Sequence, residues 1–385
     1  MRLIPIKDLN NYKSKSIDPS KSPNDYYELY SVPSYSLGHP EIVKGSEIAS
    51  TKQVVQDGDI LLCKINPRIN RVWIVKSETE YITIASSEWI VIRTNEILNS
   101  YLYWYFRTPN FQKLMVSEVT GIGGSLTRAQ PKCVAQYRIP IAEQGKQELI
   151  TNVLFKIEEL IKKRKMQLAE LENLIKSRFV DMFGDPNDIN SKWEKSPLGE
   201  LCTIARGGSP RPIEKFLGGN IPWIKIGDAT QGDDIYLYST KEHIIEEGSK
   251  RSRCIKSGSL IFANCGVSLG FARIITFDGC IHDGWLVLQE IDRRLEKVFL
   301  LKSLNMCTDY FRKTAPDGTQ PNLNTGIMKK YMQVIPPIEL QQEYIKFVQQ
   351  VHKSKFLLHQ SLKELEDEFK CLMQKAFNGE LFPEE

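Results

Sequence analysis

Two stretches of the chain carry apolar residues at alternating spacings of three and four positions. The positions we expect to pair are Ile150, Leu154, Ile157, Ile161, Leu168 and Leu171 in the first stretch, and Val351, Leu358, Leu362, Leu365 and Phe369 in the second. This spacing is typical of a coiled-coil seam rather than of the wider apolar face of an ordinary surface helix. It predicts two helices of about 35–40 residues, each about 50–60 Å long.

The second stretch repeats the first in the same register. Tyr344 stands where Ile150 stands, 194 residues later. This period is too long for a solenoid and fits a duplicated unit of one domain and one helix. One helix cannot bury its seam alone, so we expect the two helices to pair, antiparallel about a pseudo-two-fold axis. Arg164, Arg178 and Lys355 interrupt the seam, where they either fix the register or lie at its edge with the charge in water.

Short β-rich runs precede each helix and recur in the same order. "VVQDGDILLC" at 54–63 corresponds to "CIKSGSLIFANC" at 254–265, and "IASSEWIVIR" at 84–93 corresponds to "CIHDGWLVLQ" at 280–289. The predicted fold class is therefore α+β, with two mixed α/β domains that alternate with two long helices forming an antiparallel coiled coil, as a pseudo-two-fold internal repeat. The expected ranges are 1–140 for the first domain, 141–186 for the central helix, 187–337 for the second domain and 338–385 for the C-terminal helix.

Composition adds little to this picture. The 385 residues suffice for two or three domains, and 41% hydrophobic and 25% charged residues are ordinary values. A net charge of +4 and a pI near 8.4 permit nucleic-acid binding without requiring it. The eight cysteines form no CxxC pair, so we expect reduced, mostly buried thiols and neither a zinc site nor a disulfide framework. The start of the chain has no apolar signal core and no long apolar run follows, which predicts a cytoplasmic protein.

No catalytic motif is evident. The chain has no phosphate-binding GxxxxGK[ST] loop, and "NPRIN" at 66–70 lacks the amide-Pro-Pro-aromatic element of DNA methyltransferases. Trp223 and Trp285 lie in apolar runs and are expected in the core. His282, beside Asp283, has no accompanying nucleophile and is expected to be structural. We therefore predict a non-catalytic chain with no metal site.

Several motifs resemble those of the DNA-specificity subunits of type I restriction-modification systems. They are "PLGEL", "ARGGSPRP", "IPWIKIGD", "DGTQPNLN", "IPPIELQQEYI" and "LMQKAFNGEL", and the resemblance covers essentially the whole chain. The first domain departs from the pattern at its start, where "IPIKDLNNYKSKSIDPSKSPNDYYELYSV" replaces the "GGSPRP" loop.

The resemblance implies two target-recognition domains, each reading one half of an asymmetric bipartite site in double-stranded DNA. It implies helices that set the gap between the half-sites and dock two methyltransferase subunits, which restriction subunits then join. S-adenosylmethionine, ATP and Mg²⁺ are expected in those partner subunits and not in this chain. The alternative function is that of a scaffold protein, which dimerises through its helices and binds other proteins through its globular ends.

Base reading requires loop side chains with basic or amide groups. In the second domain, the expected DNA-binding residues are Arg206, Ser209 and Arg211 at a Gly-Gly turn, and Gln320, Asn322 and Asn324 in a later loop. The arginines suit phosphate or guanine, and the amides suit adenine. The alternatives are a structural hairpin with solvated arginines and amides that cap turns.

In the first domain, the expected DNA-binding residues are Ser125, Thr127 and Arg128 in the corresponding loop, and Lys64, Arg68 and Arg71 after a strand. Any one of them alone is adequately explained as surface charge. As a set they predict a basic face for DNA.

Overall fold

The computed structural model describes residues 1–120, 127–230, 233–315 and 322–382. The chain forms two compact units, one of Met1–Met166 with Gln360–Glu385 and one of Gln167–His359. We call these unit 1 and unit 2. The part of unit 1 that precedes its first long helix is the first domain. The part of unit 2 between its two long-helix segments is the second domain.

Unit 1 contains a globular domain and parts of both long helices. Its strands are β1 (Arg2–Pro5), β2 (Ser16–Ile17), β3 (Tyr26–Tyr30), β4 (Glu41–Lys44), β5 (Lys52–Val54), β6 (Ile60–Cys63), β7 (Val72–Ile74), β8 (Ile82–Ala85), β9 (Trp89–Ile92), β10 (Val119–Thr120), β11 (Arg128–Ala129) and β12 (Arg138–Ile141). Its helices are α1 (Ile6–Leu9), α2 (Asn99–Phe106), α3 (Pro109–Ser117), α4 (Pro131–Val134) and the first part of α5 (Gln144–Phe183).

The sheets of the first domain are short and mostly antiparallel. One has the order β2-β5-β8-β3-β4 and another the order β7-β6-β9, while β1 pairs with β12 and β10 with β11. Strand β6 is the centre of the three-stranded sheet, and all four of its residues are buried. An uninterrupted apolar run of this kind is what burial on both faces of a sheet requires. The aromatic residues of α2 cover this sheet and form the core with it.

Unit 2 repeats the plan. Its strands are β13 (Glu194–Pro197), β14 (Thr203–Arg206), β15 (Leu217–Ile224), β16 (Tyr236–Leu237), β17 (Glu242–Ile244), β18 (Arg253–Ile255), β19 (Leu260–Ala263), β20 (Ala272–Ile275), β21 (Gly279–Ile281), β22 (Trp285–Gln289) and β23 (Met332–Ile335). Its helices, besides the second part of α5, are α6 (Leu198–Leu201), α7 (Glu246–Ser249), α8 (Lys297–Met306), α9 (Thr308–Thr314), α10 (Thr325–Lys330) and α11 (Ile338–Asn378), whose last part belongs to unit 1.

The second domain has one sheet of order β14-β22-β19-β20-β16 and one of order β17-β15-β21-β18, and β13 pairs with β23. Its three strands β20-β19-β22 match β7-β6-β9 of the first domain in order. In each domain the first and last strands form an antiparallel pair that leads into a long helix. The predicted α+β class, with mixed α/β domains alternating with long helices, is confirmed.

The long helices are parts of the domain cores. In unit 1, Ile150 and Leu154 of α5 belong to the same buried cluster as Ala376 and Phe377 of α11. In unit 2, Phe179 of α5 packs against Tyr344 of α11, with ring centroids 5.5 Å apart. The early part of α5 thus meets the late part of α11 in one unit, and the reverse holds in the other, so the pairing is antiparallel. All eleven predicted seam positions are buried or half-buried.

Two of the charged residues in the seam have defined partners. Lys355 is buried, and its Nζ lies 3.3 Å from Glu172 Oε1 on α5. Arg178 of α5 pairs with Glu343 of α11 at 2.9 Å. These pairs join specific positions on the two helices, which supports the interpretation that the charges fix the register.

The cysteine prediction is wrong in one respect. Cys254 on β18 and Cys280 on β21 stand directly opposite each other in an antiparallel pair and form a disulfide. Cross-strand neighbours are brought together by sheet register, which the 26-residue separation in sequence does not reveal. Trp223 and Trp285 are buried, as predicted. Within the described ranges, no helix combines the length and the apolar character needed to cross a membrane.

Candidate DNA-contacting loops

Asp283 contacts three of the residues that are predicted to bind DNA in the second domain, Arg206, Ser209 and Arg211. Ser209 Oγ donates to Asp283 Oδ1 at 2.9 Å, and Arg206 Nε donates to the Asp283 carbonyl oxygen at 2.8 Å. The Arg211 guanidinium lies 3.7 Å from Asp283 Oδ2 and is 81% exposed. The three side chains therefore share one anchor, and Arg211 presents most of its surface to solvent.

The Gly-Gly turn allows this loop to lie flat against its neighbours. A Cβ atom on Gly207 would stand 2.2 Å from the His282 carbonyl oxygen, and one on Gly208 would stand 3.0 Å from the Arg251 carbonyl oxygen. Both nitrogen atoms donate to the adjacent strand region, Gly207 to Trp285 and Gly208 to Ile281, each at 2.9 Å. Only glycine permits such close approach of two backbones.

His282 is structural, as predicted. Burial lowers its pKa, and although Asp283 opposes this, the charges of Lys225, Arg211 and Arg206 lower it further. Its Nδ1 accepts a hydrogen bond from the Gly284 nitrogen at 2.9 Å. Lys225, Arg206 and Arg211 therefore lie near enough to act on His282, and a cluster of basic side chains is a feature that suits DNA contact.

A second loop of the same domain lies beside the first. Asn264 follows β19, and its nitrogen donates to the Gly284 carbonyl oxygen at 3.0 Å. Asn264 Nδ2 donates to Asn322 Oδ1 at 3.2 Å, so Asn322 lies close to the loop that carries Asp283. Asn324 has a structural role, because its Oδ1 accepts from the Ile327 nitrogen at 2.9 Å and caps α10.

The first domain also brings its candidate residues together. Arg128 forms a two-pronged ion pair with Glu88, with both nitrogen–oxygen distances at 3.2 Å. The Asn66 nitrogen donates to the Thr127 carbonyl oxygen at 2.8 Å, and the Ala129 nitrogen donates to the Lys64 carbonyl oxygen at 2.9 Å. The loop after β6 is thereby joined to the segment that carries Arg128.

Arg68 and Arg71 lie in the same loop after β6. Arg71 is half-buried, and its Nη1 lies 3.5 Å from the Ile65 carbonyl oxygen, so its guanidinium is held against the loop. Arg68 is exposed. Ser125 and Gln320 lie outside the described residues.

Three residues at these loops were missed by the sequence reasoning. Glu88, Asn264 and Asp283 position the predicted residues, yet an acidic or amide residue beside a turn carries no distinctive signal in one sequence. The signal that the sequence does offer is the alignment of the two repeats. Glu88 lies one residue before Trp89, and Asp283 lies two residues before Trp285, the tryptophan of the equivalent strand.

Among the residues that the structure describes, one group has ligand atoms close enough together to hold a metal ion: Asp233, Asp234 and His352. The Lys302 ammonium contacts the Asp234 carboxylate, and Lys355 Nζ lies 3.6 Å from it. Burial raises the pKa of Asp234, but the close contacts of His352 and Lys302 with its carboxylate and the charge of Lys302 outweigh burial and hold this pKa well below its usual range. With cations already on the carboxylate, this group is an ion-pair network and not a cation site.

Comparisons with known proteins identify a domain family and a relative. Residues 190–367, which include all strands of the second domain, match the family model of the type I restriction modification DNA specificity domain. The chain is 24% identical over 320 residues to the type I restriction enzyme MjaIX specificity subunit of Methanocaldococcus jannaschii, a match that covers 77% of this chain and 72% of that protein.

Two solved structures share the fold. A chain from a study of complex assembly and conformational transition of the type I R-M system superposes with a TM-score of 0.66 at 19% identity, over 99% of this chain and 98% of the other. The S subunit of a type I restriction-modification system from M. genitalium has a TM-score of 0.54 at 15% identity, over 98% and 96% of the two chains.

The second domain and the helix that follows it thus carry a type I DNA specificity domain. Over most of its length the chain is similar to a DNA-specificity subunit of a type I restriction-modification system, the family that its motifs resemble. The scaffold alternative is not favoured.

Proposed function

We propose that this chain selects the DNA site of a type I restriction-modification complex by reading two different half-sites, one with each domain. The observation that carries the proposal is the convergence, in both domains, of basic and amide side chains from several segments near the ends of equivalent strands, β6 and β19. In the first domain these are Arg128 and Lys64, and in the second Arg206, Arg211 and Asn322. Such groups recognise phosphates and base edges.

The exposed side of α5 supports a role in docking partner subunits. Leu149 and Leu160, both in unit 1, are each 50% exposed, and their spacing places them within about 20° of one another around the helix. Large apolar side chains repeated along one side of an exposed helix are typical of a protein interface. We assign this side to the two methyltransferase subunits, and we propose that restriction subunits join that assembly.

We propose further that the long helices set the number of unread base pairs between the half-sites. Each long helix has one part packed in the core of unit 1 and another packed in the core of unit 2, so its length is the quantity that we propose to set the gap. The ion pairs of Lys355 with Glu172 and of Arg178 with Glu343 oppose sliding of one helix along the other. The gap is then a property of the protein and not of the DNA.

We propose that the chain itself is non-catalytic. S-adenosylmethionine, ATP and Mg²⁺ would be bound by the methyltransferase and restriction subunits. Because the proposed substrate is double-stranded DNA, we propose that the complex acts in the cytoplasm.

Binding experiments test this function. The chain, assembled with its methyltransferase subunits, is titrated with random-sequence duplexes at several salt concentrations. We expect an enriched two-part sequence and an affinity that falls by about 10³-fold or more between 50 and 200 mM salt, since contacts with six or more phosphates release that many counterions. Binding that shows no sequence preference and no steep salt dependence contradicts the proposal.

A further inference from the structure

Three segments of the first domain meet at one junction. The Lys64 nitrogen donates to the Glu88 carbonyl oxygen at 3.0 Å, and the Lys64 carbonyl oxygen accepts from the Ala129 nitrogen at 2.9 Å. Ile65 forms a β-bridge with Arg128. The end of β6, the start of β9 and the segment of Arg128 are therefore joined through their backbones.

The second domain builds the same junction with the same bonds. The Asn264 nitrogen donates to the Gly284 carbonyl oxygen at 3.0 Å, and the Asn264 carbonyl oxygen accepts from the Leu323 nitrogen at 2.8 Å. Cys265 forms a β-bridge with Asn322. The two backbones are equivalent here, although the sequences are not.

This equivalence pairs residues that differ in chemistry. The positions of Lys64, Glu88 and Arg128 in the first domain correspond to those of Asn264, Gly284 and Asn322 in the second. The junction of the first domain thus presents the Arg128 guanidinium, bound by the Glu88 carboxylate. The junction of the second domain presents the Asn322 carboxamide, bound by the Asn264 carboxamide. Two readers that share a scaffold and recognise different bases need a difference of this kind.

Glu88 orients the Arg128 guanidinium. The two carboxylate oxygens of Glu88 accept hydrogen bonds from Arg128 Nε and Nη2, each at 3.2 Å. The Arg128 side chain is 42% exposed. A guanidinium has a second pair of N–H donors along its other edge, which a partner on the Nε edge leaves in place. Two parallel donors in that geometry match the O6 and N7 acceptors of guanine in the major groove.

Asn264 orients the Asn322 carboxamide. It is fully buried, and its Nδ2 donates both to Asn322 Oδ1 at 3.2 Å and to the Leu323 carbonyl oxygen at 3.1 Å. The Asn322 oxygen keeps a second lone pair, and its amino group is a donor of two hydrogen bonds. One donor and one acceptor side by side match N7 and the amino group of adenine.

We propose that Arg128 and Asn322 are equivalent base-reading residues of the two domains. Arg128, positioned by Glu88, selects a guanine in one half-site, and Asn322, positioned by Asn264, selects an adenine in the other. The inference rests on the proposed function and adds the class of base that each junction takes.

The test uses the full chain assembled with its methyltransferase subunits and selection from random-sequence duplexes. Arg128→Ala is expected to remove a guanine preference of about 5- to 150-fold at one position of one half-site and to leave the other half-site unchanged. Asn322→Ala is expected to remove an adenine preference in the other half-site only. Arg138→Ala and Asn190→Ala, which change exposed residues outside the junctions, are matched controls expected to retain both preferences.

Two conservative variants separate base reading from folding. Arg128→Lys keeps the charge but loses the two-donor edge, so we expect it to lose the guanine preference while it binds nonspecific DNA as the unaltered chain does. Glu88→Gln is expected to weaken the same single preference, because Arg128 loses its charged anchor. Assembly with the methyltransferase subunits and an unchanged Tm confirm the fold of each variant.

An unchanged base preference at every position in a folded Arg128→Ala or Asn322→Ala variant overturns the inference. So does a uniform loss of affinity across all sequences, which identifies a phosphate contact instead. Both results leave the proposed function intact as long as the unaltered chain selects a two-part site. If the unaltered chain selects no site at all, the proposed function itself fails.

Discussion

His352 Nε2 lies 2.8 Å from Asp234 Oδ1, so a residue of α11 is tied directly to the second domain. Lys302 and Lys355 contact the same carboxylate, and both lysines are almost fully buried. Asp234 thus joins α8, α11 and the loop before β16 by charge, in addition to the apolar packing between the helix and the domain.

We expect Asp234→Asn to destabilise unit 2 by about 3 kcal/mol, because Lys302 is left buried without its anionic partner. Thermal unfolding or native-state hydrogen exchange measures this loss. Asp278→Asn is the matched control, since it removes the partner of Lys256 in a pair whose side chains are largely exposed, and it should cost little. Equal effects of the two variants would show that burial of the Asp234 network contributes nothing.

The same network predicts a pH dependence. The pKa of Asp234 in the folded chain lies below that of an unfolded aspartate, which is about 3.9. Its stabilising contribution is therefore complete above about pH 4 and is lost as the pH falls further. The unaltered chain should lose stability on acidification below this point more steeply than Asp234→Asn, and parallel acid profiles would contradict the assignment.

Removal of Asp283 should change specific and nonspecific DNA binding in opposite directions. In Asp283→Ala, Ser209 and Arg211 lose their common anchor, so we expect discrimination in the second half-site to fall about tenfold or more. Nonspecific affinity should rise, because a carboxylate that repels phosphates is gone. Competition binding measures both quantities. Asp309→Ala removes an exposed carboxylate of the same domain outside these loops and serves as the control, and a fall in both affinities would contradict the prediction.

The close packing of Gly207 gives a steric test of the same loop. Gly207→Ala places a methyl group 2.2 Å from a backbone oxygen that cannot move away easily, so the loop must shift. We expect loss of sequence preference in the second half-site with the first half-site preserved. Gly227→Ala, where a Cβ has open space, is the matched control. If Gly207→Ala retains full discrimination, the loop does not contact bases.

The helix lengths give a test of the gap. Insertion of one heptad in the half-buried middle of both α5 and α11 lengthens each helix by about 10 Å, which corresponds to about three base pairs of B-DNA. We expect the gap to grow by about that number while both half-site sequences stay the same. Methylation assays on duplexes with varied gaps measure it. An assembled, active variant with an unchanged gap would show that the helices do not set the spacing.

Much of the fold could be predicted because the repeat carries a strong periodic signal. The apolar positions from Ile150 to Leu171 and from Tyr344 onwards already indicated two long helices. Their spacing can be read from the sequence without any knowledge of the tertiary structure. The sequence could not show that both ends of each helix enter domain cores, because Phe179 and Tyr344 carry no mark of the partner they pack against. The disulfide of Cys254 with Cys280 depends on strand register and was missed for the same reason.

The candidate site could be predicted only in part. Arg206, Ser209 and Arg211 could be selected as candidates because a Gly-Gly turn between basic residues is a recognisable local pattern. The partners that position them and their counterparts are distant in sequence: Asp283 lies 74 residues after Ser209, and Glu88 lies 40 residues before Arg128. Contacts over such separations follow from the assembled sheets and not from local spacing.

The most direct measurement is the methylation pattern of a host that expresses this chain with its methyltransferase subunits. Sequencing of methylated bases should reveal one asymmetric motif with two specified blocks and an unspecified gap of fixed length, which disappears when this chain is omitted. Methylation that persists without the chain, or that follows no two-part motif, would contradict the assignment of DNA recognition to this chain.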